Sequence, residues 1–169
     1  MRLGLMSDTH DRVPAVAELL RQMMERGVSM VLHAGDFCSP FVLKPFEDAQ
    51  VAMAGVFGRN DGDPEGLRTR AGAGFGLELF ESPHSFDVGG ERILLVHDIG
   101  DVHKRSLQAH AIVVHGLTHQ QEMKTRGNTL IVNPGEACGW LHGMPQAAVL
   151  DLETKQVEFL SLDPALWTR

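Results

Sequence analysis

The sequence is poor in cysteine. Only Cys38 and Cys138 occur in 169 residues, too few for a disulfide framework, and no tract of Cys and His has zinc-finger spacing. A reducing, cytoplasmic setting is therefore expected. Cations are also scarce: fifteen Lys and Arg stand against 22 Asp and Glu, for a formal net charge of -7 and a pI near 5.7. That balance argues against a broad nucleic-acid-binding face, which needs a basic surface, and leaves room only for a local basic patch. No apolar run approaches the roughly 20 residues of a membrane span. The first strand begins within two residues of Met1, leaving no space for a charged and apolar leader, so no membrane partner is expected. Repeats, low-complexity tracts and linkers are missing too. With 43% hydrophobic residues, the chain has material for one compact domain over 1–169, its core large enough to need no staples.

Histidine is plentiful instead, with nine residues. His10, His33, His97 and His115 directly follow apolar runs, with His119 close behind. The opening stretch Arg2-Leu3-Gly4-Leu5-Met6-Ser7-Asp8-Thr9-His10 reads as a strand that ends in a carboxylate and an imidazole. If the chain stays extended, residues i and i+2 point the same way, and Asp8 and His10 converge on one ion. Alone, the pair fits ordinary turn chemistry as well, with the Asp bonding nearby amides.

The rest of the chain repeats the arrangement. Val16, Leu19, Leu20, Met23 and Met24 have helical spacing, closed by Gly27, and a Met stripe of this kind packs against a sheet. Val28 to Ala34 is a buried strand that runs into Gly35-Asp36. A right-handed strand-helix-strand unit sets two carboxyl ends side by side, so Asp8 and Asp36 share a crevice. Pro40 to Glu47 reads as a short helix, and Val51 to Phe57 as a third strand ending in Gly58-Arg59-Asn60-Asp61-Gly62-Asp63. Gly72, Gly74 and Gly76 lack the G-x-G-x-x-G spacing of a phosphate loop and read as a flexible connection. From Leu77 the texture becomes antiparallel, with a hairpin from His84 to Val96 turned at Gly89-Gly90. Asp101 to Ala109 reads as a helix capped by Asp101. Ala111 to Val114 is a strand ending in His115-Gly116-Leu117-Thr118-His119. Two hairpins close the chain, one turned at Gly127-Asn128 and running into Asn133-Pro134-Gly135, the other turned at residues 153–155. Independent strands ending in Asp, His or Asn are what a metal centre at the carboxyl edge of a sheet requires.

Six blocks in order, Ser7-Asp8-Thr9-His10, Gly35-Asp36, the loop 58–63, Val96-His97, Gly116-Leu117-Thr118-His119 and Asn133-Pro134-Gly135, resemble the calcineurin-like metallophosphoesterase superfamily. The likeness is greatest to its small phosphodiesterase branch in bacteria and archaea and covers nearly the whole chain. It implies an α/β fold of two stacked mixed β-sheets flanked by helices. It also implies hydrolysis of a phosphorylated small molecule or phosphodiester by metal-activated water, and in some relatives homo-oligomers. Asp8, His10 and His119 would hold one divalent ion, and Asp36 would bridge to a second held also by His97. The mixed donors suit Mn, Fe, Co, Ni or Zn.

Three departures fall on the second ion's side. Arg59 stands where the family has a ligand Asn, Leu117 where it has a ligand His, and His97-Asp98-Ile99 replaces His-Gly-His. One ion is therefore expected, with the second position weak or lost. Asn60 sits one residue late to rescue it, and the pleat would turn it to the opposite face unless a bulge intervenes. Arg59 is a candidate phosphate clamp beside the catalytic set Asp8, His10, Asp36 and His97; the alternative is an ion pair with Asp36 or Asp61 in an inactive site. The resemblance also admits a degenerate relative that keeps the fold as an interaction or ligand-binding module. His33 and His115 are expected to be structural, and His84, His103, His110 and His142 exposed or half-buried. Asn133 is expected to brace the site, and Cys38 to pack near it. Glu136, where the family often has Ser, has no role legible in the residues, and no general acid stands out.

Overall fold

The computed structural model describes residues 1–74 and 76–163; the last six residues of the expected 1–169 domain lie outside the described residues. The first half alternates strands and helices: β1 (Arg2–Met6), α1 (Val13–Glu25), β2 (Val28–His33), a 3-10 turn (Pro40–Leu43), α2 (Lys44–Asp48), β3 (Ala52–Val56), α3 (Pro64–Ala73) and β4 (Leu77–Phe80). The second half is richer in strands: β5 (His84–Val88), β6 (Glu91–Val96), a 3-10 turn (Ile99–Asp101), α4 (Lys104–Gln108), β7 (Ile112–His115), β8 (Gln121–Arg126), β9 (Thr129–Pro134), β10 (Gln146–Asp151) and β11 (Val157–Ser161).

These strands make two mixed sheets, in the orders β11-β10-β1-β2-β3-β4 and β5-β6-β7-β9-β8. In the first, β1 to β4 are parallel and the β10–β11 hairpin adds antiparallel to β1. In the second, β6, β7 and β9 are parallel between antiparallel edges. Alternation along each strand sends one set of side chains between the sheets, where Leu3, Leu5, Leu32, Val56, Leu95 and Val114 pack together. The opposite set on the first sheet meets α1 and α2 through Leu19, Met23, Val31, Phe46 and Met53. The outer face of the second sheet is covered by Leu107 of α4. The result is the expected sandwich, with helices outside both sheets. No helix among the described residues is long and apolar enough to cross a membrane.

Three local expectations are corrected. The stretch read as a flexible connection is partly helical: Gly72 lies in α3 and Gly74 closes it, and α3 starts as helices commonly do, with Pro64 in its first turn and the Asp63 carboxylate accepting from Gly66 N at 2.9 Å. Only Leu67 and Ala71 of this helix are buried, so its apolar stripe is too thin to read as a period. β4 pairs parallel to β3, so the antiparallel texture starts at β5 and not at Leu77. Helix α4 begins at Lys104, with the His103 ring accepting from Arg105 N at 3.3 Å; Asp101 closes the 3-10 turn before it.

Candidate metal centre

The carboxyl ends of β1, β2 and β3 lie beside those of β6 and β7, and the loops leaving them converge. The ladder between β1 and β2 continues past both strands: Asp8 N donates to Gly35 O at 3.0 Å, His10 N to Asp36 O at 3.1 Å and Asp11 N to Phe37 O at 3.2 Å. The backbone there is not extended, however. Asp8 and His10 have φ of 54° and 38°, and Asp36, Leu117 and His119 lie at 61°, 66° and 60°. Convergence therefore comes from left-handed turns, and the expected pleat spacing of Asp8 and His10 is wrong in mechanism though right in outcome. Two glycines permit the close approach of these loops. A Cβ on Gly58 would sit 2.2 Å from Asp36 Oδ1, and one on Gly116 would sit 2.0 Å from Ser7 Oγ and 2.9 Å from Asp8 Oδ2.

At the centre, ligand-type atoms of Asp8, His10, Asp36 and His119 all lie within 4.8 Å of one another. His119 Nε2 is 3.4 Å from Asp8 Oδ1, and His10 Nε2 is 3.4 Å from Asp36 Oδ2 and 3.9 Å from Asp8 Oδ1. His97 Nε2 faces the other Asp36 oxygen at 3.4 Å. Both Asp8 oxygens and the Nε2 atoms of His10 and His97 are buried without a hydrogen-bond partner. Burial raises the Asp8 pKa, although the Ser7 hydroxyl, His119 and His97 pull the other way. Buried carboxylate and imidazole atoms gathered this closely, those of Asp8 and His10 without partners, are the kind of donor set that holds a divalent cation.

The imidazoles are braced from behind. His97 Nδ1 donates to Ala34 O at 2.8 Å, and His119 Nδ1 to Glu136 Oε2 at 2.8 Å. Both arrangements leave an Nε2 lone pair facing inward. His10 Nδ1 lies 3.3 Å from Cys38 Sγ. Glu136 is the functional residue that the sequence did not reveal. Its buried carboxylate also accepts from Leu141 N at 3.1 Å and His142 N at 2.6 Å. Burial opposes its charge, yet His119 and those two amides hold its pKa below the usual carboxylate range. Only the place of Glu136 directly after Asn133-Pro134-Gly135 hinted at it.

Around the expected second position, two expectations are corrected. Asn60 does reach the centre: its backbone N donates to Asp36 Oδ1 and its Nδ2 to Asp36 Oδ2, both at 2.8 Å. The loop has left strand geometry before Asn60, so the pleat argument that turned it away does not apply. Arg59 pairs with neither Asp36 nor Asp61. Its guanidinium rests on Asp98, with Asp101 at 3.6 Å, at the rim of a cavity of about 200 Å³ that His97 also lines. Asp61 is occupied by three amides, Phe37 N at 2.7 Å, Cys38 N at 2.9 Å and Gly58 N at 2.6 Å, tying the loops after β2 and β3 together. Ile99 packs against the outer core.

The remaining expectations resolve simply. His33 is buried, stacked on Phe37 at 3.8 Å and bonded to Thr9 and Gly35; burial pushes its pKa well down. Burial likewise lowers the pKa of His115. Asn133 braces the β7 loop, donating to Gly116 O at 3.0 Å and Thr118 Oγ1 at 2.9 Å. His110 is buried rather than half-exposed, because Ser85 and the Ser106 carbonyl satisfy both ring nitrogens.

The sequence profile of the calcineurin-like phosphoesterase superfamily domain matches residues 1–155, and the chain belongs to that superfamily. It is thus a hydrolase of the phosphoesterase class. Among its relatives, a phosphodiesterase of Methanocaldococcus jannaschii is 30% identical, covering 96% of this chain and 100% of its own. A probable metallophosphoesterase of Methanothermobacter thermautotrophicus is 29% identical over 80% of this chain and 76% of its own. The solved structure of an archaeal phosphodiesterase superposes with a TM-score of 0.84 at 29% identity, covering 96% of this chain and 100% of that one. It shares the two-sheet fold.

Proposed function

We propose that the chain hydrolyses phosphodiesters with a divalent transition ion held by Asp8, His10, Asp36 and His119. The observation that carries this reading is the gathering of ligand-type atoms of Asp8, His10, Asp36 and His119 within 4.8 Å, with both Asp8 oxygens and His10 Nε2 buried and unpartnered. The names of its relatives support diesters as the substrate class. When bound, such an ion lowers the pKa of water and offsets charge on the phosphoryl oxygens. Asp8 and Asp36 supply the anionic charge that attracts it, while Glu136 and Ala34 O hold His119 and His97 in the tautomer that faces inward.

The ion is single. Asp36 and His97 alone are left from the second ion's protein ligands, and Asn60 turns its Nδ2, which ligates no cation, towards Asp36. Arg59 acts as the phosphate clamp by exchanging Asp98 for a substrate oxygen, which its planar fork fits. The test begins with protein purified without chelating tags and counts metal per chain. Turnover of an aryl phosphodiester and a monoester is then measured with manganese, nickel, cobalt and zinc. One ion per chain and diesterase activity lost in Asp8→Ala is the expected result. Two ions per chain would remove the mononuclear account, and inactivity with every metal would remove the hydrolytic one. An Arg59→Ala protein with unchanged turnover and phosphate affinity would remove the clamp.

A further inference from the structure

We propose that Cys138, with His10 and His119, forms a second, sulfur-containing donor set that overlaps the carboxylate-rich one, so that a thiophilic ion such as Zn2+ takes a thiolate ligand where Mn2+ does not. The inference deepens the reading of the centre as a metal site and rests on it. Ligand atoms of His10, His119 and Cys138 lie within 4.8 Å of one another. Ligands at 2.0–2.3 Å in a tetrahedral shell lie about 3.3–3.8 Å apart, so the three atoms close on an ion by drawing in by up to about 1 Å. The set shares its two imidazoles with the quartet that includes Asp8 and Asp36. An ion held by His10 and His119 therefore has two directions in which to complete its shell, towards carboxylate oxygen or towards sulfur.

The sulfur is positioned rather than adventitious. Cys138 N donates to Asp8 O at 3.0 Å, which fixes its backbone to the end of β1. The Arg12 guanidinium bonds Cys138 O and lies 4.3 Å over the Trp140 ring, clamping the same loop from outside. Glu136 Oε2 touches both His119 Nδ1 at 2.8 Å and Cys138 Sγ at 3.5 Å, so one buried carboxylate orients an imidazole donor and the thiol together. Asp8, whose fully buried oxygens have no hydrogen-bond partner, lies 3.4 Å from His119 Nε2. Ligand softness then decides between the two directions: zinc and cobalt accept thiolate readily, whereas manganese favours carboxylate. As the metal–sulfur bond forms, the S–H bond breaks and its proton passes to solvent.

X-ray absorption spectra of the full chain loaded separately with one equivalent of Zn2+ and of Mn2+ test this directly. The expected result is one sulfur neighbour at about 2.3 Å around zinc and only nitrogen and oxygen around manganese. In Cys138→Ser the sulfur shell should vanish and Zn2+ affinity should fall about tenfold or more, while Mn2+ affinity moves less than about twofold. Retained Mn2+ binding also shows that the variant is folded. Nitrogen and oxygen alone around zinc in the wild type would overturn the assignment and leave the hydrolase reading standing. Sulfur that persists in Cys138→Ser would overturn it in favour of Cys38, whose Sγ is 3.3 Å from His10 Nδ1. Binding of neither ion would overturn the metal-centre reading along with it.

Discussion

Replacing Asp8 with Asn should make the metal-free protein more stable. Asp8 is fully buried and both its oxygens lack partners. An unsatisfied buried polar group costs about 1–3 kcal/mol, and a charged one more. The amide keeps the shape and discards the charge, with His119 Nε2 3.4 Å from the Oδ1 position. A gain of about 1–2 kcal/mol is expected, which for a chain of this length raises Tm by about 2–8 °C. The sign with pH follows from burial, which raises the Asp8 pKa above its ordinary 3.8. The folded state then binds more protons than the unfolded one. Stability from protonated Asp8 is present below 3.8 and lost as pH rises through the folded value, so the advantage of Asp8→Asn grows across that window and then levels off. Added metal should reverse the order. Wild type gains about 2.7 kcal/mol at a free ion concentration a hundredfold above Kd, and the variant, missing an anionic ligand, gains far less. Thermal unfolding in chelator and in excess Mn2+ between pH 4 and 8 measures all of this. A variant no more stable than wild type in chelator at pH 7 would refute the premise that the Asp8 charge is uncompensated.

Glu136→Gln should weaken metal binding about 10- to 100-fold by chelator competition, since the amide keeps a bond to His119 Nδ1 but loses the charge that makes the imidazole a good donor; unchanged affinity would reduce Glu136 to packing. Because the folded Glu136 pKa is lowered, its stabilising contribution is present above the unfolded value and lost as pH falls through the folded one, which a comparison of wild-type and variant Tm against pH reads out. Gly116→Ala puts a methyl 2.0 Å from Ser7 Oγ and 2.9 Å from Asp8 Oδ2, so about 1–3 kcal/mol of stability should be lost in chemical denaturation, and metal affinity with it. The double substitution Arg59→Asn with Leu117→His should raise bound metal from about one ion per chain to about two by elemental analysis; a count that stays at one would place the defect elsewhere in the loop.

The sheets were legible because apolar runs of strand length ended in recognisable polar clusters: Asp8-Thr9-His10, Gly35-Asp36, His97, His119. The site was legible for the same reason, since parallel strands bring their carboxyl ends together whatever the loops do. What escaped was the loop geometry. Asp and His adopt a left-handed φ more often than most residues, but still in a small minority of cases, so the turns at Asp8 and His10 leave no firm signature in the sequence and the spacing reads as a pleat where a turn does the aiming. The same gap hid Asn60, which was judged by strand register although its loop is no longer a strand. Glu136 was invisible because a carboxylate acts on His119 only across space, and its partner lies 17 residues away. Helix α3 was missed although Asp63-Pro64 is a start signal, because its buried face is only Leu67 and Ala71.

The centre is built against the stability of its own loops. Asp8, His10, Asp36, Leu117 and His119 all sit at positive φ, a conformation that costs a side chain about 1–2 kcal/mol per residue. Gly58 and Gly116 let those loops approach more closely than a Cβ allows. Strain of this kind survives where the surroundings over-determine it, and here they do: the β1–β2 ladder runs on to Asp11, Asp61 ties three amides, and Asn133 holds the β7 loop. In the proposed centre, a cation drawn by Asp8 and Asp36 would recover the cost by giving the stranded Asp8 and His10 atoms a partner, which would make folding and metal binding partners in one equilibrium. The bracing is uneven, however. His119 and His97 are backed by a carboxylate and a carbonyl, whereas His10 is backed by the Cys38 thiol, a weak partner. Of the imidazoles in the proposed quartet, His10 is therefore the one freest to follow the ion, and it belongs to both donor sets. In the proposed centre, the metal's choice between oxygen and sulfur would turn on His10, with which the first strand's loop enters the site.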